Sequence, residues 1–374
     1  MSVTIGALRE SAPRETRVSV VPEVADKLAR EGARILMERG AGERACFPDS
    51  LYKSVTWADS AASVLAGSDV ILTVQPLTVE QIRQLKPGAV VVGFMQPHAR
   101  AAEVRALKAH GVTSFAMELV PRISRAQSMD ALSSQAAIAG YKAVLIAASH
   151  LQKFLPMLTT AAGTIRPSQL LIIGAGVAGL QAIATARRLG AVVEAYDVRS
   201  ATREQVKSLG AKFVDTGVSA EGSGGYAREL TAEEKARQQE VLDSRIAAAD
   251  AVITTASVPG RPAPKIISRA AVERMRPGAV VVDIAAEQGG NCELTQAGEV
   301  LEHQGVKIVG PVNLPAELAY NASEMYARNL YNFLKPALVK GELVIDWSDE
   351  VFAQSCLTSG GQIKHEPTAK ALEG

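Results

Sequence analysis

The sequence predicts an α/β protein of two domains, each built on a mostly parallel sheet. Three observations predict it. Short apolar runs alternate with amphipathic stretches from end to end, the pattern of parallel strands joined by crossover helices. The pattern restarts after residue 165, and the halves share a phrase, LKPGAVVVGF at 85–94 against MRPGAVVVDI at 275–284. The length of 374 residues suits two domains.

In the first half, VTIGAL, ARILMER, DVILTV, GAVVVGF and VTSFAM read as strands, with helices at PEVADKLARE, TVEQIRQLK and RAAEVRALKAHG. In the second half the strands are QLLIIGAG, AVVEAYDV, AKFVDT, DAVITTA, GAVVVDIA and VKIVGPV. A long helix from Ser133 to about Phe154, broken near Pro156, and a second from Pro315 to Leu334 carry the chain between halves. The predicted first domain is therefore 1–132 completed by 315–374, and the second is 133–314. The tail, GQIKHEPTAKALEG, is polar and reads as frayed.

Composition excludes several classes. A formal net charge of +1 gives no reason to expect nucleic acid or an anionic membrane as partner. Three scattered cysteines, Cys46, Cys292 and Cys356, indicate neither disulfides nor a metal site and fit a reducing cytoplasm. The N-terminus lacks an apolar signal core. The best candidate for a membrane span, Leu170–Ala186, holds a glycine-rich turn and Gln181.

That turn is the sharpest motif. The apolar run Leu170–Ile173 leads into Gly174-Ala175-Gly176-Val177-Ala178-Gly179 and a helix ending near Gly190. Gly174 permits a tight turn, Gly176 lets backbone approach a pyrophosphate, and Gly179 lets helix and strand pack closely. The helix start at Val177 then offers N–H groups to the phosphates. A second strand ends in Asp197, 18 residues past Gly179, where a carboxylate can accept from an adenosine ribose and repel a 2′-phosphate. The lesser alternative is that Asp197 caps the next turn, and Arg199 is a cation able to accept such a phosphate. The reading is NAD(H), bound by one of two Rossmann-like domains joined by two long helices with a cleft between them.

A dehydrogenase acting on an alcohol or amine needs a proton acceptor beside the hydride donor. Of the five histidines, His110 and His303 read as helix ends, His150 lies on the long helix and His365 in the tail. Only His98, after a strand, is placed to reach a cleft, and a plain surface histidine is the commoner reading even there. Instead, polar groups crowd RISRAQSMDALSSQ (122–135). Ser124 and Gln127 have capping-box spacing, while Gln127, Asp130 and Ser134 fall on one helical face. Such a face can hold an amide and a ribose without proton chemistry.

PRISRAQSMDALSSQAAIAGYKAV closely resembles the NAD(H)-binding domain of proton-translocating nicotinamide nucleotide transhydrogenase, in its split-subunit bacterial form. The likeness covers nearly the whole chain, including RETRVSVVPE, the glycine fingerprint, RPGAVVVDIAAEQGGNCELT and GPVNLPAELAYNASEMYARNLYNFL. The resemblance implies that Arg122, Gln127, Asp130 and Ser133 orient the nicotinamide and its ribose. It implies Asp197 as the ribose acid and Tyr226 on a mobile closing loop. It further implies hydride transfer from NADH here to NADP⁺ on a partner beta subunit, the one that binds NADP(H). A small membrane alpha subunit, a homodimer and a peripheral place on the cytoplasmic face of the inner membrane complete that picture. The alternatives are an alanine dehydrogenase-like enzyme and a non-catalytic NAD-sensing subunit. The first resembles this chain at Arg17, its substrate-carboxylate arginine, but has lysine where Gln75 stands.

Overall fold

The computed structural model describes residues 2–218, 231–257 and 260–373. The chain divides into two compact units, Met1–Gln135 with Pro315–Gly374, and Ala136–Leu314.

In the first unit six parallel strands, in chain order Thr4–Ala7, Arg34–Glu38, Val55–Ala58, Val70–Leu72, Val90–Gly93 and Thr113–Ala116, take the spatial order 3-2-1-4-5-6. Strand Cys356–Ser359 adds antiparallel to Thr113–Ala116, and Gln362–Ile363 pairs with it at the edge. The Ala319–Leu334 helix buries Tyr326, Leu330 and Phe333 in the same core as the strand residues Ile5, Leu72 and Val92.

The second unit repeats that order. Its parallel strands Gln169–Ile173, Val192–Tyr196, Lys212–Phe213, Ala251–Thr254, Val280–Asp283 and Val306–Val309 again run 3-2-1-4-5-6, with Val300–His303 antiparallel at the edge. The three central strands between them bury Leu170, Ile172, Ala251, Ile253, Val280 and Val282 on one face. On the other they bury Leu171, Ile173, Val252 and Val281. Burial on both faces explains why these strands read as continuous apolar runs.

Several expectations are corrected. Strand Val55–Ala58 and helix Ala61–Gly67 follow in a stretch that reads as featureless, because this edge strand buries only Ala58. His303 ends a strand and not a helix. The long helix spans Ala131–His150 and so starts two residues earlier and ends four earlier than expected. It, and not Leu170–Ala186, is the helix among the described residues that is long and apolar enough to cross a membrane; its Ala143, Val144 and Ala147 are fully buried in the second core. The second long helix opens with a 3-10 turn at Leu314–Leu318. The tail is not frayed: Gln362–Ile363 is a strand, Glu366–Glu373 is a helix, and Thr368 is buried.

Candidate functional site

In an open parallel sheet, ligands bind at the carboxyl ends of strands where the strand order reverses. In the second unit that point lies between Gln169–Ile173 and Ala251–Thr254. Gly174 leaves the first strand at φ +98°, a conformation that favours glycine. Thr255, leaving the other strand, donates its hydroxyl to the Gly174 carbonyl at 3.1 Å. A Cβ on Gly179 would sit 1.8 Å from that carbonyl oxygen, so the helix packs as closely as the motif demands. Gly176 is different. Its backbone is extended, and a Cβ there would meet nothing within 4 Å. The space in front of the turn is open to a bulky anion. Gly176 gives the Val177–Arg188 helix no side-chain cap, and Val177 is exposed, so the first-turn N–H groups face that space. The residues present therefore fit a dinucleotide pyrophosphate.

Asp197 sits at the end of the neighbouring strand, nearly buried. One carboxylate oxygen accepts from the Ala175 amide at 2.7 Å, and the other from the Arg199 amide at 2.9 Å. The second bond braces the following turn, which is the capping role the sequence also offered for Asp197. Burial alone would raise its carboxyl, but the Arg199 guanidinium and the two amides outweigh burial and hold it below the ordinary range. Beside it a cavity of about 130 Å³ is lined by Val198, Ser200, Phe213 and Thr216 among others.

The polar segment 122–135 is not one helical face. Ser124–Met129 is 3-10, Asp130 is non-helical at ψ 87°, and the α-helix starts at Ala131. Ser124 makes no capping box; the residue before the 3-10 turn is Ile123, without a side-chain cap. Asp130 does the capping, accepting the Ser133 amide at 2.9 Å and the Ser133 hydroxyl at 2.6 Å. Ser134 turns inward to Asn329 at 2.7 Å, and Gln135 to the Ala322 carbonyl at 3.1 Å. Arg125 is paired with Asp349. Arg122, Ser124, Gln127 and Ser128 are left: all four are exposed, and among the described residues none of these side chains makes a hydrogen bond or ion pair. Tyr226 lies outside the described residues.

The same switch point in the first unit is filled. Glu10, after the first strand, accepts the amides of Val74 and Gln75, after the fourth, at 2.6 and 3.3 Å. Glu15 and Arg17 are buried and form a bidentate pair at 2.8 and 2.7 Å. Gln75 donates to Glu15 at 2.7 Å, Gln96 to Gln75 at 2.9 Å, and Arg17 to Gln135 at 2.8 Å. Burial pushes the Glu10 carboxyl up to about 7. Burial would do the same to Glu15, but the Arg17 guanidinium and Gln75 amide bring it down to about 2. His98 belongs to none of this; it lies exposed in a turn beyond Gln96.

Reading the sequence assigned no task to three residues that shape the nucleotide turn. Thr255 ties its two strands. A Cβ on Gly140 would lie 2.0 Å from the Ala178 carbonyl, so the long helix meets the fingerprint helix backbone to backbone. Asn291 clamps the strand end, accepting the Ala256 amide at 3.1 Å and donating to the Ala256 carbonyl at 2.8 Å. The GGNC phrase was visible, but an asparagine's partners across 35 residues were not.

Comparison with known proteins agrees with this geometry. Residues 6–139 match the family described as alanine dehydrogenase/PNT, N-terminal domain, and 143–366 match its C-terminal domain. The chain is 45% identical over 370 residues to the first part of NAD(P) transhydrogenase subunit alpha of Rhodospirillum rubrum, covering 96% of each. It is 30% identical over 291 residues to alanine dehydrogenase of Mycobacterium tuberculosis, covering 76% of this chain and 73% of that one. Among solved structures, transhydrogenase from Sinorhizobium meliloti superposes with a TM-score of 0.88 at 44% identity, over 96% of this chain and 99% of that one. The chain belongs to the alanine dehydrogenase/PNT family and, within it, to the group formed by the first part of NAD(P) transhydrogenase subunit alpha.

Proposed function

We propose that this chain is the NAD(H)-binding subunit of a proton-translocating transhydrogenase. NADH held here gives hydride directly to NADP⁺ on a partner beta subunit, and separate membrane subunits move the proton. The observation that carries this reading is the pair Arg122 and Gln127, an exposed guanidinium and amide on a segment where Arg125, Asp130, Ser133, Ser134 and Gln135 are committed elsewhere. Ring-to-ring hydride transfer needs orientation and exclusion of water, not a general acid or base.

In this reading Gly174, Gly176, Val177 and Gly179 form the pyrophosphate turn, and Asp197 receives the adenosine ribose. Arg122, Gln127, Asp130 and Ser133 orient the nicotinamide and its ribose. Arg122 takes this role and not Arg125, which is held by Asp349. Tyr226 closes over the nucleotide. The chain works as a homodimer, peripheral on the cytoplasmic face of the inner membrane. The hairpin Leu158–Thr160 with Gly163–Ile165 supports a dimer, since all six residues are exposed and a lone two-stranded hairpin needs cover.

The test is reduction of an NAD analogue by NADPH, with this chain added to membranes stripped of it. NADH, pyruvate and ammonium with the chain alone form the control. Activity only in the mixture, lost in Asp130→Asn, is the expected result. Asparagine caps a helix about as well as aspartate, so that loss reports the charge and not the helix start. Turnover of pyruvate by the chain alone would replace this reading with alanine dehydrogenase chemistry.

A further inference from the structure

The Asp197–Arg199 pair carries an assignment beyond NAD binding, resting on the reading that the fingerprint holds a dinucleotide. A carboxylate offers about four acceptor positions. At Asp197 four donors already meet them. Besides the two amides, Arg199 Nε donates to one oxygen at 2.9 Å and an Arg199 terminal nitrogen to the other at 2.8 Å. This is the parallel two-bond fork that arginine makes with carboxylates and equally with phosphates. The Asp197 side chain is 6% exposed and that of Arg199 35%, so the arginine covers the acid on the solvent side.

Two consequences follow. A ribose diol arriving at Asp197 must compete with the guanidinium for the same oxygens. In addition, the charge by which the acid would repel a 2′-phosphate is largely balanced by its partner. Neighbouring cations do not supply this balance: Arg203 is committed to Asp215 at 2.6 Å and lies over the Phe213 ring. Lys212 pairs with Glu194 at 3.0 Å.

We propose that Arg199 is a latent 2′-phosphate ligand that Asp197 holds in check, so that the pair, and not the acid alone, sets the choice between NAD(H) and NADP(H). With the acid ionised, the fork is turned onto it. With the acid neutralised, the fork is released at the position where the adenosine 2′ substituent lies.

The experiment measures NADH and NADPH binding to the full chain by nicotinamide fluorescence, in the wild type, Asp197→Asn, and Asp197→Asn with Arg199→Ala. Asparagine keeps an oxygen for the Ala175 amide, and a thermal melt confirms folding of each variant. The single variant is expected to bind NADPH about tenfold tighter or more, the size of one added charge-assisted contact, and NADH more weakly. The double variant is expected to lose the NADPH gain. No gain in the single variant, or a gain that survives removal of Arg199, overturns the proposal. Wild-type protein that fails to bind NADH is a separate outcome: it removes the nucleotide reading and this proposal with it.

Discussion

Both units reverse their strand order between the first and fourth parallel strands, and the residues bordering the two reversals differ in kind. In the second unit the strand ends carry glycine and threonine, and the space ahead of Gly176 is empty. In the first unit the strand ends carry Glu10, Gln75 and Gln96, knitted to Glu15, Arg17 and Gln135. Strand order makes a crevice in each case; side-chain volume and hydrogen-bond demand decide whether it receives a ligand or becomes core. A phosphate site needs backbone donors left unspent, whereas a buried ion pair is tolerable only when every polar atom is spent.

Substitutions can break this contrast. The largest effect is expected from Glu15→Ala, which leaves Arg17 buried without its bidentate partner and costs about 3–5 kcal/mol, read as a fall in the denaturant midpoint. A midpoint within error of wild type would mean the first switch point is not held together by this pair. Next is the pH dependence of Glu10. Its folded value, about 7, lies above the ordinary 4.5. The native state therefore keeps a proton that the unfolded chain releases. That stability is complete below 4.5 and is lost as pH rises to about 7, by on the order of 3 kcal/mol. Glu15 has the opposite sign: its stability is present above 4.5 and is lost as pH falls to about 2. In Glu10→Gln the decline between pH 4.5 and 7 should flatten in chemical denaturation; a decline unchanged from wild type refutes the assignment.

In the second unit, Gly176→Ala should lower NADH affinity by about a hundredfold, some 2.7 kcal/mol, with no change in melting temperature. The extended backbone there admits alanine, and the new methyl fills only the pyrophosphate space. Unchanged affinity would place the phosphates elsewhere. The smallest effect is at the helix start, where Asp130→Ala should cost about 1 kcal/mol through the lost cap and Asp130→Asn almost nothing, by thermal melts.

How much was legible follows from which signals are local. The fingerprint was readable because its chemistry is written in adjacent residues, and the buried central strands because both faces are apolar. Edge elements were not: Val55–Ala58 and Val300–His303 each expose part of their residues and lose the apolar run. At the polar helix start the residues are legible in the sequence but their conformation is not. Spacing alone cannot tell a helical face from a 3-10 turn plus a cap, and the partners that absorb Arg125 and Ser134 lie 224 and 195 residues away. Arg199 was seen as a cation two residues beyond the acid; that it folds back onto it is a matter of geometry.

The first unit is discontinuous, and this bears on how the chain reaches its native state. Ala136–Leu314 is one uninterrupted stretch and can complete its core as soon as it has been synthesised. The first unit cannot. Its Thr113–Ala116 edge waits for Cys356–Ser359, and its Val18 amide and Thr73 carbonyl wait for Ser323 and Tyr326. Until Cys356–Ser359 has been made, the Thr113–Ala116 edge of an apolar sheet is unpaired, the kind of surface that recruits other strands. The second unit thus has its whole core within one stretch of chain, while the unit that begins first cannot complete its sheet or its buried hydrogen bonds until residues far downstream are in place.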